Sequence, residues 1–255
     1  MSPCEWDAEA YERLAEPQDV WGRRILGLLD LAGDETVLEA GCGTGRDTAR
    51  LLERLPRGRV IALDGSAAML ERLRTRLAGR LDRVQLLQAD LERPLPLNGP
   101  VDVVFSVAAF HWVQDHRALF RNLADVMRPG ARLVADCGGK GNIARVSWAV
   151  ERVTGVPAEP GIWNFSEPAT VRNNLAAAGF TDIQVELHGE PVRLPERQAL
   201  ERFLTSVVLG SHLQKLPEAE RNRFVEQVAD LLPGGEIEYV RLTISATRGR
   251  FGMAR

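Results

Sequence analysis

A chain of 255 residues with 45% apolar content is long enough for one sizeable hydrophobic core, or for a core with a small cap. The formal net charge of −3 lacks the basic excess that nucleic-acid-binding proteins usually carry, so we expect no nucleic-acid partner. The apolar runs are too short to span a bilayer, and Cys4, Cys42 and Cys137 are not spaced as metal ligands, so we expect neither a membrane nor a metal.

The N-terminal stretch MSPCEWDAEAYERL is acidic and has no apolar signal core. The three cysteines are scattered along the chain and odd in number, which fits a reducing compartment. Together these features predict a cytoplasmic protein.

Strand and helix patterns alternate through the first half of the chain. Short apolar runs predict strands at residues 36–40, 59–64, 83–90, 101–107 and 131–137. Helical patterns lie between them: one over 44–54, one that Ser66 can cap, and one stopped by Pro129 and Gly130. Continuous Val, Ile and Leu runs that alternate with helices predict a doubly wound α/β fold, in which a mostly parallel sheet is covered on both faces.

The pattern changes after residue 137. We predict helices near 143–153 and 167–180, an edge strand at 181–188, a helical pair at about 196–215 and 217–232, and a last strand at 236–247. We divide the chain into an N-terminal helical segment (1–30), an α/β core (31–137) and a remainder (138–255). Within that remainder, about 138–167 and 195–233 are predicted to form a small helical substrate cap.

A glycine-rich stretch and two acids follow successive predicted strands. The run VLEAGCGTG places Gly41, Gly43 and Gly45 after the first strand, while Asp64 ends the second and Asp90 ends the third. Ligands of open α/β sheets bind at the carboxyl ends of the strands, and glycine lets the backbone approach a ligand closely. The first acid can accept from both ribose hydroxyls and the second from an adenine amino group, so the sequence predicts an adenosine site.

The glycine spacing helps to choose between adenosine cofactors. A dinucleotide site such as that for NAD favours G-x-G-x-x-G, whereas Arg46 and Asp47 stand here where the later glycine would be. Glu39, just before the loop, would bring negative charge close to a pyrophosphate. The same acid suits a cofactor that carries a positive sulfonium and an ammonium.

Several motifs resemble the class I S-adenosylmethionine-dependent methyltransferases. These are VLEAGCGTG, IALDGS with Met69, LQADLERPLP and VDVVFSVAAFHWVQD, which together cover about residues 37–137. The segment WDAEAYERLAEP looks like the N-terminal segment that closes over the cofactor in small-molecule methyltransferases. HWVQDH and the layout of the C-terminal half look most like the trans-aconitate 2-methyltransferase group. The resemblance implies a Rossmann-like seven-stranded sheet of order 3-2-1-4-5-7-6 with strand 7 antiparallel. It also implies S-adenosylmethionine as cofactor and S-adenosylhomocysteine as product.

The resemblance also implies a set of cofactor-binding residues. Gly41 and Gly43 would approach the methionine part, Asp64 would bind the ribose, and Asp90 would hold the adenine amino group. Ser106 would lie near the methionyl group. The full set is Tyr11, Gly41, Cys42, Gly43, Asp64, Gly65, Met69, Ala89, Asp90, Leu91 and Ser106.

Methyl transfer from a sulfonium needs a general base only when the acceptor holds a proton tightly, and a carboxylate needs none. His111, just past the fourth strand, is the candidate catalytic residue, as a base, as a hydrogen-bond donor to an acceptor carboxylate, or as a packing residue. Trp112 is expected to form a pocket wall or to pack in the core. His116 is predicted to lie on a helix surface, and Asp115 to cap that helix.

The predicted cap supplies further candidates for the acceptor pocket: Arg145, Trp148, Trp163 and His212, beside His111 and Trp112. A tricarboxylate acceptor would want two or more converging arginines. The apolar stripes at 200–208 and 224–228 favour a cap core. If they line the site instead, the acceptor is hydrophobic, for example an acyl chain or a polyketide.

These observations predict a methyltransferase that acts on a small molecule, with a carboxylate oxygen as the favoured acceptor. Three alternatives stay open: methylation of a natural-product hydroxyl, carbon or nitrogen; an NAD-dependent oxidoreductase; and a non-catalytic S-adenosylmethionine-binding regulatory protein. The sequence is compatible with a monomer or a homodimer.

Overall fold

The structure is a computed structural model that describes residues 16–156 and 162–250. Tyr11 and the first half of the predicted closing segment, residues 1–15, therefore lie outside the described residues. No helix within these two ranges is long and apolar enough to cross a membrane.

A seven-stranded sheet organises the molecule, in the order β3-β2-β1-β4-β5-β9-β6. The strands of the chain are β1 (Thr36–Ala40), β2 (Arg59–Asp64), β3 (Val84–Gln88), β4 (Val101–Val107), β5 (Met127–Gly138), β6 (Phe180–Gly189), β7 (Val192–Arg193), β8 (Glu236–Ile237) and β9 (Val240–Arg248). The first five are parallel, and β9 runs antiparallel to both β5 and β6. Counting only the sheet strands, this is the predicted order 3-2-1-4-5-7-6, so the predicted fold class is confirmed.

Helices cover both faces of this sheet and form a cap over one edge. They are α1 (Glu16–Gly27), α2 (Arg46–Arg54), α3 (Ala67–Arg76), α4 (His116–Asp125), α5 (Ala144–Thr154), α6 (Pro168–Ala177), α7 (Arg197–Phe203), α8 (Gly210–Leu213) and α9 (Glu218–Asp230). A short π-helical segment, Leu204–Val208, joins α7 to the residues before α8. Two predicted caps are confirmed: the Ser66 hydroxyl accepts from Met69 N, and the Asp115 carboxylate accepts from Arg117 N and Ala118 N.

Apolar side chains explain why the sheet is buried on both faces. Successive residues of β1 point to opposite sides: Val37 packs with α1, α2 and α3, whereas Leu38 packs with α4 and α6. A third cluster joins α5 to the helices α7 and α9. Continuous apolar strands are stable only when both faces are covered in this way.

Three element boundaries differ from the sequence prediction. The last strand is divided, since Glu236–Ile237 pairs with β7 and only residues from Val240 join the main sheet. The helix predicted over 196–215 is interrupted by the π-helical segment. Pro129 and Gly130 lie within β5, and α4 has already ended at Asp125.

Candidate functional site

A cavity of about 570 Å³ runs along the edge of the sheet where the parallel strands end. Its wall includes Asp90 after β3, Asp64 at the end of β2, the glycine loop after β1, His111 after β4 and Arg241 on β9. Neighbouring strands lie about 4.8 Å apart, so four strand spacings separate Asp64 from Arg241, roughly 19 Å along the edge. The strand order therefore places the acids at one end of the cavity and the arginine at the other.

Glycine is required at two positions of the loop after β1 for different reasons. Gly41 has φ +85°, and a Cβ there would lie 2.2 Å from the Ala109 side chain. Gly43 has φ +52°, and a Cβ there would meet nothing within 4 Å. Gly41 is therefore needed for packing, whereas Gly43 brings bare backbone to the cavity wall.

The carboxylate of Asp64 is held by the backbone around it. Its Oδ2 accepts from Gly43 N at 2.9 Å, and its Oδ1 accepts from Ser66 N at 2.9 Å. A carboxylate is an acceptor at both of its oxygens. The side chain is thus fixed in place at the cavity wall.

The residues predicted to bind adenosine lie together along one part of the cavity wall. Asp90 Oδ1 accepts from Glu92 N at 2.9 Å, which fixes the turn after β3. The neighbours of the two acids also line the cavity: Gly65, Met69, Ala89 and Leu91.

A small cleft of about 60 Å³ adjoins the glycine loop and is rich in carboxylates. Cys42 lines this cleft and not the main cavity, and burial raises the pKa of its thiol. Glu39 also lines it, is 3% exposed and accepts from the Thr48 hydroxyl at 2.5 Å. Burial, together with the nearby charges of Asp47 and Asp64, holds the pKa of Glu39 well above its usual value. A ligand cation placed here would stabilise the ionised form of Glu39 and lower its pKa.

Ser106 is placed differently from its prediction. It is 1% exposed, and its hydroxyl donates to the Ala40 carbonyl at 2.7 Å, which fastens β4 to β1. The hydroxyl is therefore used inside the sheet and does not line the cavity, which corrects its assignment as a cofactor contact.

His111 lies in a 3₁₀ turn, Phe110–Trp112, and its ring lines the cavity. Its Nδ1 accepts from Gly138 N at 3.2 Å. Burial, and then the charge of Arg241, holds the pKa of the imidazole well below its usual value. A neutral ring whose Nδ1 accepts a hydrogen bond carries its proton on Nε2, so the hydrogen-bond network assigns the donor tautomer at that atom.

The prediction that His116 lies on the helix surface is wrong. The residue is 4% exposed, its Nε2 lies 2.9 Å from the Phe110 carbonyl, and its Nδ1 lies 3.2 Å from the Ser166 hydroxyl. The ring turns inward because α4 starts directly beneath the His111 turn. It braces the loop that carries His111.

Aromatic rings form one wall at the end of the cavity that holds His111. Trp163 stacks on Phe165 with ring centres 5.5 Å apart, and Trp112 lies 6.3 Å from Trp163. These three rings line the cavity. His212 packs 5.0 Å from Trp163, and burial lowers its pKa to about 4.

Three residues predicted to line the pocket lie outside it. His212 packs against Trp163 and does not line the cavity, which corrects its assignment. Trp148 is 51% exposed, and Arg145 lies 3.8 Å from Glu238 with its side chain 43% exposed. The reason is the helical period of α5, which buries Val146, Ala149 and Val150 and turns the other face to solvent. This placement corrects both predictions.

The most buried charge at the cavity was not predicted. Arg241 is 1% exposed, lines the cavity and donates from Nε to Asp136 Oδ1 at 2.8 Å. Arg24 from α1 also donates to Asp136, at 3.1 Å. The sequence does contain a signal for this pair. Asp136 in LVADC and Arg241 in YVRLTI are each a single charged residue within an apolar strand. Opposite charges buried in neighbouring strands are expected to pair.

Comparisons with known proteins agree with this geometry. A family model described as a methyltransferase domain matches residues 37–130. The trans-aconitate 2-methyltransferase of Deinococcus radiodurans is 28% identical over 261 residues, covering 95% of this chain and 98% of that protein. A putative methyltransferase from Bacillus halodurans has a similar fold, with a TM-score of 0.62 at 15% identity over 89% of this chain and 98% of that one.

A further solved structure is an N-methyltransferase from Haemonchus contortus, determined in complex with phosphomonomethylethanolamine and S-adenosylhomocysteine. Its TM-score is 0.62 at 17% identity, over 95% of this chain and 57% of that one. At such identities the structural similarity is evidence for the fold alone. The evidence for the family comes from the sequence matches.

Proposed function

The chain belongs to the class I S-adenosylmethionine-dependent methyltransferases, and we propose that it methylates a carboxylate oxygen of a small-molecule acceptor. The observation that carries this proposal is the hydrogen bond from Gly138 N to Nδ1 of His111, because it makes that histidine a donor. A carboxylate acceptor also agrees with the name of the Deinococcus relative, a trans-aconitate 2-methyltransferase, which this chain covers over nearly its whole length.

The described residues that line the cavity offer chemical groups that suit this cofactor. Asp64 would accept from the ribose hydroxyls, Asp90 from the adenine amino group, and Glu39 would lie near the ammonium. Gly43 would let the backbone approach the methionine part. When bound, S-adenosylmethionine supplies a methyl group on positive sulfur, and the acceptor oxygen forms the O–C bond as the C–S bond breaks with its electrons kept by sulfur.

His111 would orient the acceptor and take no proton from it. Its Nε2 carries a hydrogen, its Nδ1 is occupied by Gly138, and its low pKa disfavours the imidazolium that a base would become. A carboxylate arrives ionised at neutral pH, since its pKa lies far below 7. The donor at Nε2 suits one of its oxygens, while the other is free to attack.

A hydroxyl or carbon acceptor would need a proton-accepting group at this end of the cavity. The titratable side chains that line it here, within the described ranges, are His111, Lys215, Tyr239 and Arg241. Lysine, tyrosine and arginine side chains are hydrogen-bond donors, and His111 is a donor at Nε2. This inventory favours an acceptor that is already deprotonated.

The nature of the product bond tests the proposal. Purified protein, methyl-labelled cofactor and fractions of carboxylic-acid metabolites are incubated, and products are analysed by mass spectrometry before and after mild alkaline hydrolysis. We expect a labelled product that loses its methyl group in base, as a methyl ester does. A labelled product that survives base treatment would mean an ether, N-methyl or C-methyl group and would contradict O-methylation of a carboxylate.

A further inference from the structure

We propose that the acceptor is a monocarboxylate with an apolar aryl or alkyl body, and that the site selects against a polyanion such as a tricarboxylate. This inference rests on the proposed carboxylate methylation and specifies the rest of the acceptor molecule. It is drawn from the wall of the cavity beyond His111.

Flat apolar surface dominates that wall. Trp163 and Phe165 are stacked with planes 22° apart, and Trp112 lies at 58° to Trp163, so the rings enclose a corner. His111 itself packs 5.8 Å from Phe165. A ligand group held by His111 would thus continue directly into aromatic surroundings, where a planar ring or an alkyl chain gains both burial and dispersion energy.

Aliphatic side chains complete the same end. Val207 and Val208 reach the cavity from the π-helical segment, Ile143 from the residue before α5, and Ile162 from the loop before Trp163. Each of these four side chains is less than 7% exposed. Val207 and Val208, from the apolar stripe at 200–208, therefore face the ligand as well as the core of the cap. These aliphatic side chains offer the ligand no hydrogen bonds.

The positive charge available is too small for a tricarboxylate. Arg241 is the buried cation of this wall, and its Nε and Nη2 both donate to Asp136. Among the residues that the structure describes, Lys215 is the other cation of this wall, and it is exposed. A single carboxylate can be matched by His111 and the remaining donors of Arg241. Two further carboxylates would lose their hydration against Trp163 and Val208, and burial of an unpaired charge is costly.

The chemistry of the transfer is compatible with such a site. A carboxylate anion and a sulfonium cation react to give a neutral ester and a neutral thioether, so charge disappears along the reaction. Apolar walls that exclude water remove the hydration which would stabilise the separated charges. An apolar acceptor end therefore favours both binding of the acceptor body and the methyl transfer.

A matched panel of acceptors tests the inference on the wild-type protein. The panel is phenylacetate, 3-phenylpropionate, octanoate, trans-aconitate and citrate, with phenethyl alcohol as the uncharged analogue, and methyl transfer is followed as S-adenosylhomocysteine release. We expect kcat/KM for the best monocarboxylate to exceed that for trans-aconitate by roughly tenfold or more, because the tricarboxylate must bury unmatched charge. A preference for trans-aconitate or citrate would overturn the inference.

Binding separates this inference from the proposed function. Calorimetry on the protein saturated with S-adenosylhomocysteine measures each acid without requiring turnover. Tighter binding of a monocarboxylate than of trans-aconitate supports the inference even if another atom is methylated, whereas faster methylation of phenethyl alcohol than of phenylacetate would contradict only the carboxylate chemistry. If no monocarboxylate binds at millimolar concentration, the inference is wrong.

A pair of tryptophan variants locates the apolar body. Trp163→Leu should reduce kcat/KM for the preferred monocarboxylate by roughly tenfold, since one aromatic contact of about 1.5 kcal/mol is lost. Trp148→Leu, on the exposed face of α5, should change it less than twofold. Equal effects of the two substitutions would place the acceptor body elsewhere and overturn the assignment to this wall.

Discussion

The guanidinium carbon of Arg241 lies 3.8 Å from the ring centre of Trp21, so a side chain of α1 covers the buried arginine of β9. The same helix supplies Arg24 to Asp136, the partner of Arg241. Trp21 and Arg241 also both line the cavity. The contacts that hold α1 over the sheet are therefore the contacts that shape one end of the site.

The pairing at Arg241 should make this residue important for stability. Arg241→Met leaves the buried Asp136 with Arg24 and the Thr243 hydroxyl as donors. We expect a loss of about 3 kcal/mol, the lower end of the range for breaking a buried ion pair. The matched control is Arg193→Met, because Arg193 pairs with Glu236 but its side chain is 76% exposed, and a cost below about 1 kcal/mol is expected. Urea unfolding compares the two. Equal losses would show that burial of the Arg241 pair has no energetic consequence.

Asp64 should determine much of the affinity for the cofactor. In Asp64→Asn the amide oxygen can still accept from one backbone N–H, but the charge that strengthens bonds to ribose hydroxyls is lost. We expect the dissociation constant for S-adenosylhomocysteine to rise by roughly tenfold or more. Isothermal titration calorimetry measures it, with Asp34→Asn, whose side chain is 62% exposed, as the control. An unchanged constant in a folded Asp64→Asn protein would remove Asp64 from the ribose site.

The variant His111→Gln should show whether His111 orients the acceptor or removes a proton from it. Gln keeps a donor, so we expect the KM of the acceptor to rise while kcat changes less than about tenfold. Because the pKa of His111 is held below its usual value, kcat/KM should show no rising limb between about pH 6 and 7 that disappears in the variant. His188→Gln, outside the cavity lining, is the control. A hundredfold loss of kcat with such a limb would identify His111 as a general base.

The glycine loop and the acids at the strand ends could be predicted because each follows from local sequence. A strand that ends in an acid places that acid at the carboxyl edge of the sheet whatever the rest of the chain does. Asp64 and Asp90 therefore reach the cavity as expected. The parallel order of the strands follows for the same reason, from apolar runs that alternate with helices.

Side-chain direction in the second half of the chain could not be predicted in the same way. Whether Trp148 or Trp163 faces the cavity depends on how α5 and the following loop are oriented against the sheet. The sequence does not distinguish the two positions, because both residues are tryptophan. The inward turn of His116 depends on the contact of its ring with Phe110 and Ser166. The pairing of Asp136 with Arg241 joins residues 105 positions apart, and only the register of β5 against β9 brings them together.

The raised pKa of Glu39 should make the stability of the cofactor-free protein fall as pH rises. The folded state holds a proton on this buried carboxyl above its usual pKa of 4.5, at which the unfolded chain loses it. Between 4.5 and the folded pKa the native state therefore binds more protons, and stability decreases by up to about 1.4 kcal/mol per pH unit. Glu39→Gln cannot titrate, so its stability relative to wild type should increase with pH across that window.

Urea unfolding at pH 5, 6, 7 and 8 tests this, with Glu71→Gln as the control because that side chain is 65% exposed. The comparison between variant and wild type isolates Glu39 from the histidines, whose lowered pKa values act in the opposite direction below about pH 6.5. Saturating S-adenosylhomocysteine should reduce the slope, since an ammonium beside Glu39 favours the ionised form and lowers its pKa. A difference between Glu39→Gln and wild type that stays constant from pH 5 to 8 in the cofactor-free protein would mean that Glu39 is ionised throughout. A difference that S-adenosylhomocysteine leaves unchanged at every pH would mean that Glu39 does not lie beside the ammonium.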